Sequence, residues 1–205
     1  MSDAAKGVIS LYERHARSWD RDRSGFMPER AWIERFATLL PPHGHVLDLG
    51  CGGGVPIARH LIELGLEVTG IDASGALIAL CKERFPSARW IVADMRCLSL
   101  GRQYDGLLAW DSLFHLTPDD QREVFPLLRA HLAEAGALLF TSGPQHGEAV
   151  GSYRGEELYH GSLDEAEYRS LLTAHRFDVI AHTVEDPSCG YHTVWLARSR
   201  PKRPH

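Results

Sequence analysis

Apolar positions along this chain alternate between a helical spacing and short unbroken runs, and each switch marks a change of element. Residues 5–22 read as an amphipathic helix with Val8, Leu11, Tyr12, His15 and Trp19 on one face. Ser24-Gly25 breaks the pattern. A second helix starts at Pro28 and reaches Leu40, with Ala31, Trp32, Phe36, Leu39 and Leu40 apolar. Proline suits a helix start because its missing N–H is not needed there. Pro41-Pro42 ends the helix. The pattern then predicts strands at 46–49, 67–71, 89–93, 104–110 and 137–141, separated by helices at 55–64, 74–84 and 117–132. A helix over 163–175 and an antiparallel hairpin of 177–184 with 192–197 close the chain. Strands alternating with helices predict an α/β fold with a parallel sheet. The polar segment 142–162 has five glycines and no clear period. Segments of this kind are uncommon unless functional or disordered.

Composition narrows the class. Hydrophobic residues make up 44% of the 205 and charged residues 24%, ordinary for a globular chain of one domain. A formal net charge of -5 makes no electrostatic case for nucleic acid. The one basic run, Arg198 to Arg203, sits in a Pro-rich tail and reads as a solvated terminus. No apolar run approaches a membrane span, and the N-terminus lacks the apolar stretch of a signal peptide. Cys51, Cys81, Cys97 and Cys189 have no C-x-x-C spacing, so reduced thiols in a cytoplasmic protein are expected. The 12 histidines form no H-E-x-x-H or comparable pattern, and no structural metal is expected.

The chemistry concentrates at Val46-Leu47-Asp48-Leu49-Gly50-Cys51-Gly52-Gly53-Gly54-Val55. An apolar run ending in an acid, then glycines, then an apolar run with Pro56 near its start, reads as strand, tight turn and helix. Glycine permits φ above zero and close approach of a ligand. A helix start adds free N–H groups and a positive dipole end. A dinucleotide fingerprint needs a third glycine where Val55 stands, and a phosphate loop needs a Lys that is absent. Asp48 repels a pyrophosphate and attracts a cation. An ammonium near a sulfonium, as in S-adenosylmethionine (SAM), suits it. Asp72 ends the second strand about 20 residues after the glycines, where a carboxylate takes ribose hydroxyls in such folds. Ser74 is the better cap for the helix that follows.

The stretch resembles motif I of the class I SAM-dependent methyltransferases, with a D-x-G-x-G-x-G core at Asp48, Gly50, Gly52 and Gly54. The resemblance runs from about Val46 to the C-terminal strands. It implies a Rossmann-like doubly wound α/β fold: a seven-stranded, mostly parallel sheet with an antiparallel C-terminal hairpin strand, helices on both faces and an N-terminal helical cap. It implies SAM as cofactor and S-adenosyl-L-homocysteine as product, held by Asp48, Gly50, Cys51 and Gly52, by Asp72 with Ala73, and by Trp110 at the end of the fourth strand. Asp94 then takes the adenine amino group and Met95 packs on the ring. Tyr12, Ala16, Trp19 and Asp20 match the family's Y-x-x-x-A-x-x-[WY]-D pattern, which lies over the pocket. For Tyr12 and Trp19, ligand contact and plain packing both stay open.

Tyr104 to Trp110 resembles motif IV, and residues 110–116 fall at the switch point between the first and fourth strands, where such sheets bind ligands. His115 is a candidate general base there, its reference pKa being about 6.5; a packing histidine is the alternative. Asp111 is a group to orient the acceptor or the base. The domain divides into a helical cap (1–45), a SAM-binding core (46–141), a substrate lid (142–162) and a C-terminal helix with β-hairpin (163–199). Tyr153, Tyr159 and His160 on the lid and His192 on the hairpin are candidate acceptor contacts, with Glu185 and Tyr191 behind them. The expected activity is in-line methyl transfer from SAM to an O- or N-nucleophile of a small molecule, with neither nucleic acid nor membrane as partner. No N-P-P-[YFW] or D-P-P-Y stretch, which the family uses on nucleic-acid bases, follows the fourth strand. A non-catalytic SAM-binding sensor and a nicotinamide-dependent oxidoreductase are the rival readings.

Overall fold

The computed structural model describes residues 3–201; residues 202–205, which hold the end of the basic run, lie outside the described residues. In order come α1 (Asp3–Arg23), α2 (Arg30–Ala37), β1 (His45–Leu49), α3 (Ile57–Glu63), β2 (Glu67–Asp72), α4 (Gly75–Arg84), β3 (Arg89–Val92), β4 (Tyr104–Ala109) and α5 (Pro118–His131). The remainder is β5 (Leu132–Ser142), β6 (Gly147–Tyr153), β7 (Glu156–Ser162), α6 (Glu165–Ala174), β8 (Phe177–Asp186) and β9 (His192–Ser199). Single 3-10 turns cover Met95–Cys97, Leu113–His115 and Pro187–Cys189.

Seven strands form one sheet in the order β3-β2-β1-β4-β5-β9-β8. The first five are parallel, and β9 runs antiparallel between β5 and β8. This is the Rossmann-like doubly wound sheet that the alternation predicts. The strands read as apolar runs because helices cover both faces. On one face α5 and α6 bring Phe125, Leu128 and Tyr168 onto Leu47, Leu107, Leu138 and Trp195. On the other, α2, α3 and α4 bring Ile33, Phe36, Leu61 and Ile78 onto Val46, Val68, Leu108 and Leu196. Each such side chain stabilises the fold by roughly 1.5–3 kcal/mol relative to exposure. α2 therefore belongs to a covering layer, while α1 packs on α4 and β7.

Three helix starts have side-chain caps. Ser74 accepts the Leu77 N–H at 3.2 Å, Thr117 the Asp120 N–H at 3.2 Å, and Asp164 the Glu167 N–H at 2.8 Å. Two elements differ from expectation. β5 begins at Leu132, directly after α5, and not at Ala137; its pairing with β4 is irregular between Tyr104 and Gly106, which hides the strand's start. Segment 142–162 is an antiparallel hairpin, β6 with β7, paired from Gly147↔Ser162 to Tyr153↔Glu156. β6 is exposed along most of its length, so no alternation marks it. Only β7 buries apolar groups, Leu158 and Tyr159, against Val8 and Leu11 of α1. Glu156 pairs with Arg14 and His15, and Asp22 with Tyr153 and Arg154, along the same contact. Among the described residues no helix is long and apolar enough to cross a membrane.

Candidate active site

The carboxyl ends of β1 to β4 and the inner face of α1 enclose a cleft of about 1210 Å³, its open mouth included. The turn after β1 forms its floor. Gly50, Gly52 and Gly54 have φ of 78°, 55° and 77°. Three successive N–H groups of the turn are spent inside the protein. Gly50 and Cys51 donate to the Ile71 carbonyl at 2.8 and 3.0 Å, and Gly52 donates to Asp72 Oδ2 at 3.0 Å. α3 begins only at Ile57, so the expected helix-start donors do not stand at the turn. What the glycines supply is room. A Cβ on Gly50 would lie 2.4 Å from Ser112 Cβ, and above Gly52 the nearest atom is Trp19 Nε1 at 3.8 Å.

Two carboxylates face this room. Asp48 is 4% exposed, and its carboxyl is pushed up to about 7 by burial and then by Asp72; Arg23 only partly offsets them. Asp72 is also pushed up, by burial first, although the N–H groups of Ser74 (2.8 Å) and Gly52 hold it back. Acids short of positive charge suit a cationic ligand. Ala73 lines the cleft beside them. Along the cleft, Asp94 and Met95 also line it. Burial raises the Asp94 carboxyl, but bonds from the Arg96 side chain and N–H outweigh it and hold the acid below its usual range.

α1 closes the other side. Tyr12 and Trp19 meet edge to face at 5.1 Å between ring centres, and both line the cleft. Glu13 ties α1 to α4 by accepting from Ser74 Oγ at 2.6 Å and the Ala76 N–H at 3.0 Å. Asp20 pairs with Arg84, which also donates to the Gly53 carbonyl at 2.9 Å. The helix is thereby pinned to the glycine turn.

At the end of β4, Trp110, Asp111 and His115 all line the cleft. The indole N–H of Trp110 is buried and has no partner among the described residues. Asp111 has φ of 51°, with its N–H donating to Thr141 Oγ1 at 2.9 Å. Its carboxylate lies 2.7 Å from His192 Nε2 and 3.7 Å from Arg23. The Asp111 carboxylate raises the His192 imidazole against the opposing effect of burial. His115 lies 2.8 Å from the Tyr12 hydroxyl through Nε2 and 2.9 Å from the Tyr159 carbonyl through Nδ1. Burial pushes its imidazole down to about 4, with His160 adding to the effect.

Four of the expected acceptor contacts stand behind the cleft lining. Tyr153 packs on Trp19 and His15, Tyr159 is buried against α1 and meets His115 through its carbonyl, His160 packs on His115 and Phe114, and His192 holds Asp111. Sequence reasoning missed Arg23, which lines the cleft four residues beyond Trp19 and eleven beyond Tyr12. That spacing puts all three on one helical face, and the signal was available. Ser112 was also missed; its hydroxyl donates to the Leu49 carbonyl at 2.6 Å and fixes the gap between β1 and β4.

Sheet order, glycine turn and paired strand-end acids define a methyltransferase fold. Residues 46–136, a little under half of the chain, match the family model of a methyltransferase domain. The chain is similar to the Bacillus subtilis (strain 168) protein YqeM, 34% identical over 136 residues that cover 63% of this chain and 54% of that protein. It is also similar to trans-aconitate 2-methyltransferase of Paracidovorax citrulli (strain AAC00-1), 36% identical over 102 residues, 48% of this chain and 38% of that one. The chain thus spans about half the length of the curated relatives it matches, or less. Its fold is similar to that of 1,6-didemethyltoxoflavin-N1-methyltransferase from Burkholderia thailandensis, solved with 1,6-didemethyltoxoflavin and S-adenosylhomocysteine. The TM-score is 0.72 at 21% identity, covering 94% of this chain and 86% of that chain.

Proposed function

We propose that this chain binds SAM in the cleft and transfers its methyl group to an O- or N-nucleophile of a small molecule. The observation that carries the reading is the pair of under-compensated acids, buried Asp48 and half-buried Asp72, beside a turn that leaves room for a ligand. In this reading Asp72 holds the ribose, Asp48 faces the cationic end, Asp94 and Met95 take the adenine, and Trp19 covers the turn. When bound, SAM supplies a methyl group already activated for in-line displacement. The chain's own part is alignment and exclusion of water. Tyr12, Trp110 and Asp111 line the acceptor side, and His115 acts there through Tyr12. The β6–β7 hairpin, with Tyr153, Tyr159 and His160, serves with α1 as the lid, and His192 orients Asp111. Incubation with methyl-labelled SAM and a panel of small amines, hydroxyl compounds and carboxylates tests the reading. Label transfer supports it, and SAM binding without transfer across the panel favours a sensor.

The acids predict a pH dependence. The folded, ligand-free protein keeps a proton on Asp48 that the unfolded chain releases, so Asp48 lowers stability as pH climbs from the usual carboxylate range to about 7. A cation favours the ionised form. SAM affinity is therefore expected to rise as pH climbs toward about 7, by up to about tenfold per pH unit, and to level off above it. Calorimetry in buffers of different ionisation enthalpy should detect the released proton. A flat profile would contradict the placement of Asp48 against the cation.

A further inference from the structure

His115 has a fixed polarity. Its Nδ1 lies 2.9 Å from the Tyr159 carbonyl oxygen, which only accepts, so Nδ1 carries the hydrogen. In the neutral ring Nε2 is then a bare acceptor. Burial beside His160 keeps the ring neutral. The Tyr12 hydroxyl, 2.8 Å from Nε2, must donate to it. That leaves Tyr12 only oxygen lone pairs for a ligand. Asp111, which lines the cleft with Tyr12, is likewise an acceptor in its ionised form.

We propose that Tyr12, with His115 setting its polarity, offers the methyl-receiving molecule a hydrogen-bond acceptor and with Asp111 recognises it as a donor, an amine and not a carboxylate. The donors on this side of the cleft, the Trp110 indole N–H and Arg23, serve other groups of the ligands. The proposal rests on the reading of the cleft as a SAM site. An ammonium nitrogen has no lone pair, so the amine gives its proton to solvent before the step and enters it unprotonated. Its nitrogen lone pair forms the N–C bond as the S–C bond breaks with its electron pair left on sulfur. Positive charge passes from sulfur to nitrogen, so an N-methylammonium ion forms beside Tyr12 and Asp111 and the step itself requires no proton transfer. A carboxylate placed against Tyr12 would bring its lone pairs against those of the hydroxyl.

The experiment titrates benzylamine and benzoate into the protein saturated with S-adenosylhomocysteine, followed by ligand-observed NMR. Benzylamine is expected to bind at least about tenfold more tightly than benzoate, and Tyr12→Phe to weaken it by about tenfold. Nitrogen-15 spectra of the wild-type protein, with the signal assigned by its loss in His115→Gln, should show His115 protonated at Nδ1 alone near neutral pH. Equal or preferred binding of benzoate, failure of benzylamine to bind a protein that does bind S-adenosylhomocysteine, or a hydrogen on Nε2 overturns the proposal. Failure to bind S-adenosylhomocysteine at all removes the reading beneath it.

Discussion

Asp72→Ala is expected to cut SAM affinity by about a hundredfold or more in a protein that still folds. The carboxylate sits at the end of β2 and already receives the N–H groups of Gly52 and Ser74 at 3.0 and 2.8 Å. Those bonds fix its direction and leave its other lone pairs for two ribose hydroxyls. A hydrogen bond to a charged group contributes about 1.5–3 kcal/mol, and about 1.4 kcal/mol is tenfold in affinity, so two such bonds exceed a hundredfold. Alanine also removes an acid whose ionised form is disfavoured, which offsets part of the loss of two internal bonds. Asp72→Asn separates the effects, because its amide oxygen still accepts from one of the two N–H groups. Calorimetry with SAM beside a thermal melt reads both quantities. Unchanged affinity in Asp72→Ala would remove the ribose assignment.

Gly50→Ala is expected to destabilise the fold by about 2–5 kcal/mol and to lower the midpoint of thermal unfolding by about 5–15 °C. Gly50 has φ of 78°, in the left-handed region that costs an L-residue about 1–2 kcal/mol. The added methyl would also stand 2.4 Å from Ser112 Cβ. Ser112 cannot yield freely, because its hydroxyl is bonded to the Leu49 carbonyl at 2.6 Å. The strain therefore opens the gap between β1 and β4, and SAM affinity falls with it. Gly7→Ala is the control: Gly7 lies inside α1 with no atom within 4 Å of an added Cβ. Alanine there should leave the melt unchanged or raise it by up to a few degrees, since it favours the helix by about 1 kcal/mol. Equal melts for the two variants would contradict the close fit at the turn.

The sheet was legible because its parallel strands are short apolar runs set between helices, and several helices start at a cap residue that does what its type predicts. Ser74 and Thr117 show this directly. The turn acids were legible because Asp48 and Asp72 stand at fixed offsets from the glycines. The hairpin 147–162 was not, because a strand exposed along most of its length carries no alternation, and the hairpin's buried patch answers to a helix at the other end of the chain. The contact between Tyr12 and His115 spans 103 residues, and no local pattern encodes it. The helix-start expectation at the turn failed for a different reason. Three consecutive backbone donors were taken by β2, at Ile71 and Asp72, before any ligand could use them.

Titration calorimetry of the purified chain with SAM and with S-adenosylhomocysteine tests the central claim most directly. Micromolar binding of both, with the affinity for SAM rising as pH approaches about 7, is the predicted result. No heat of binding with either compound would contradict the account, and the cleft between the glycine turn and α1 would then belong to another ligand.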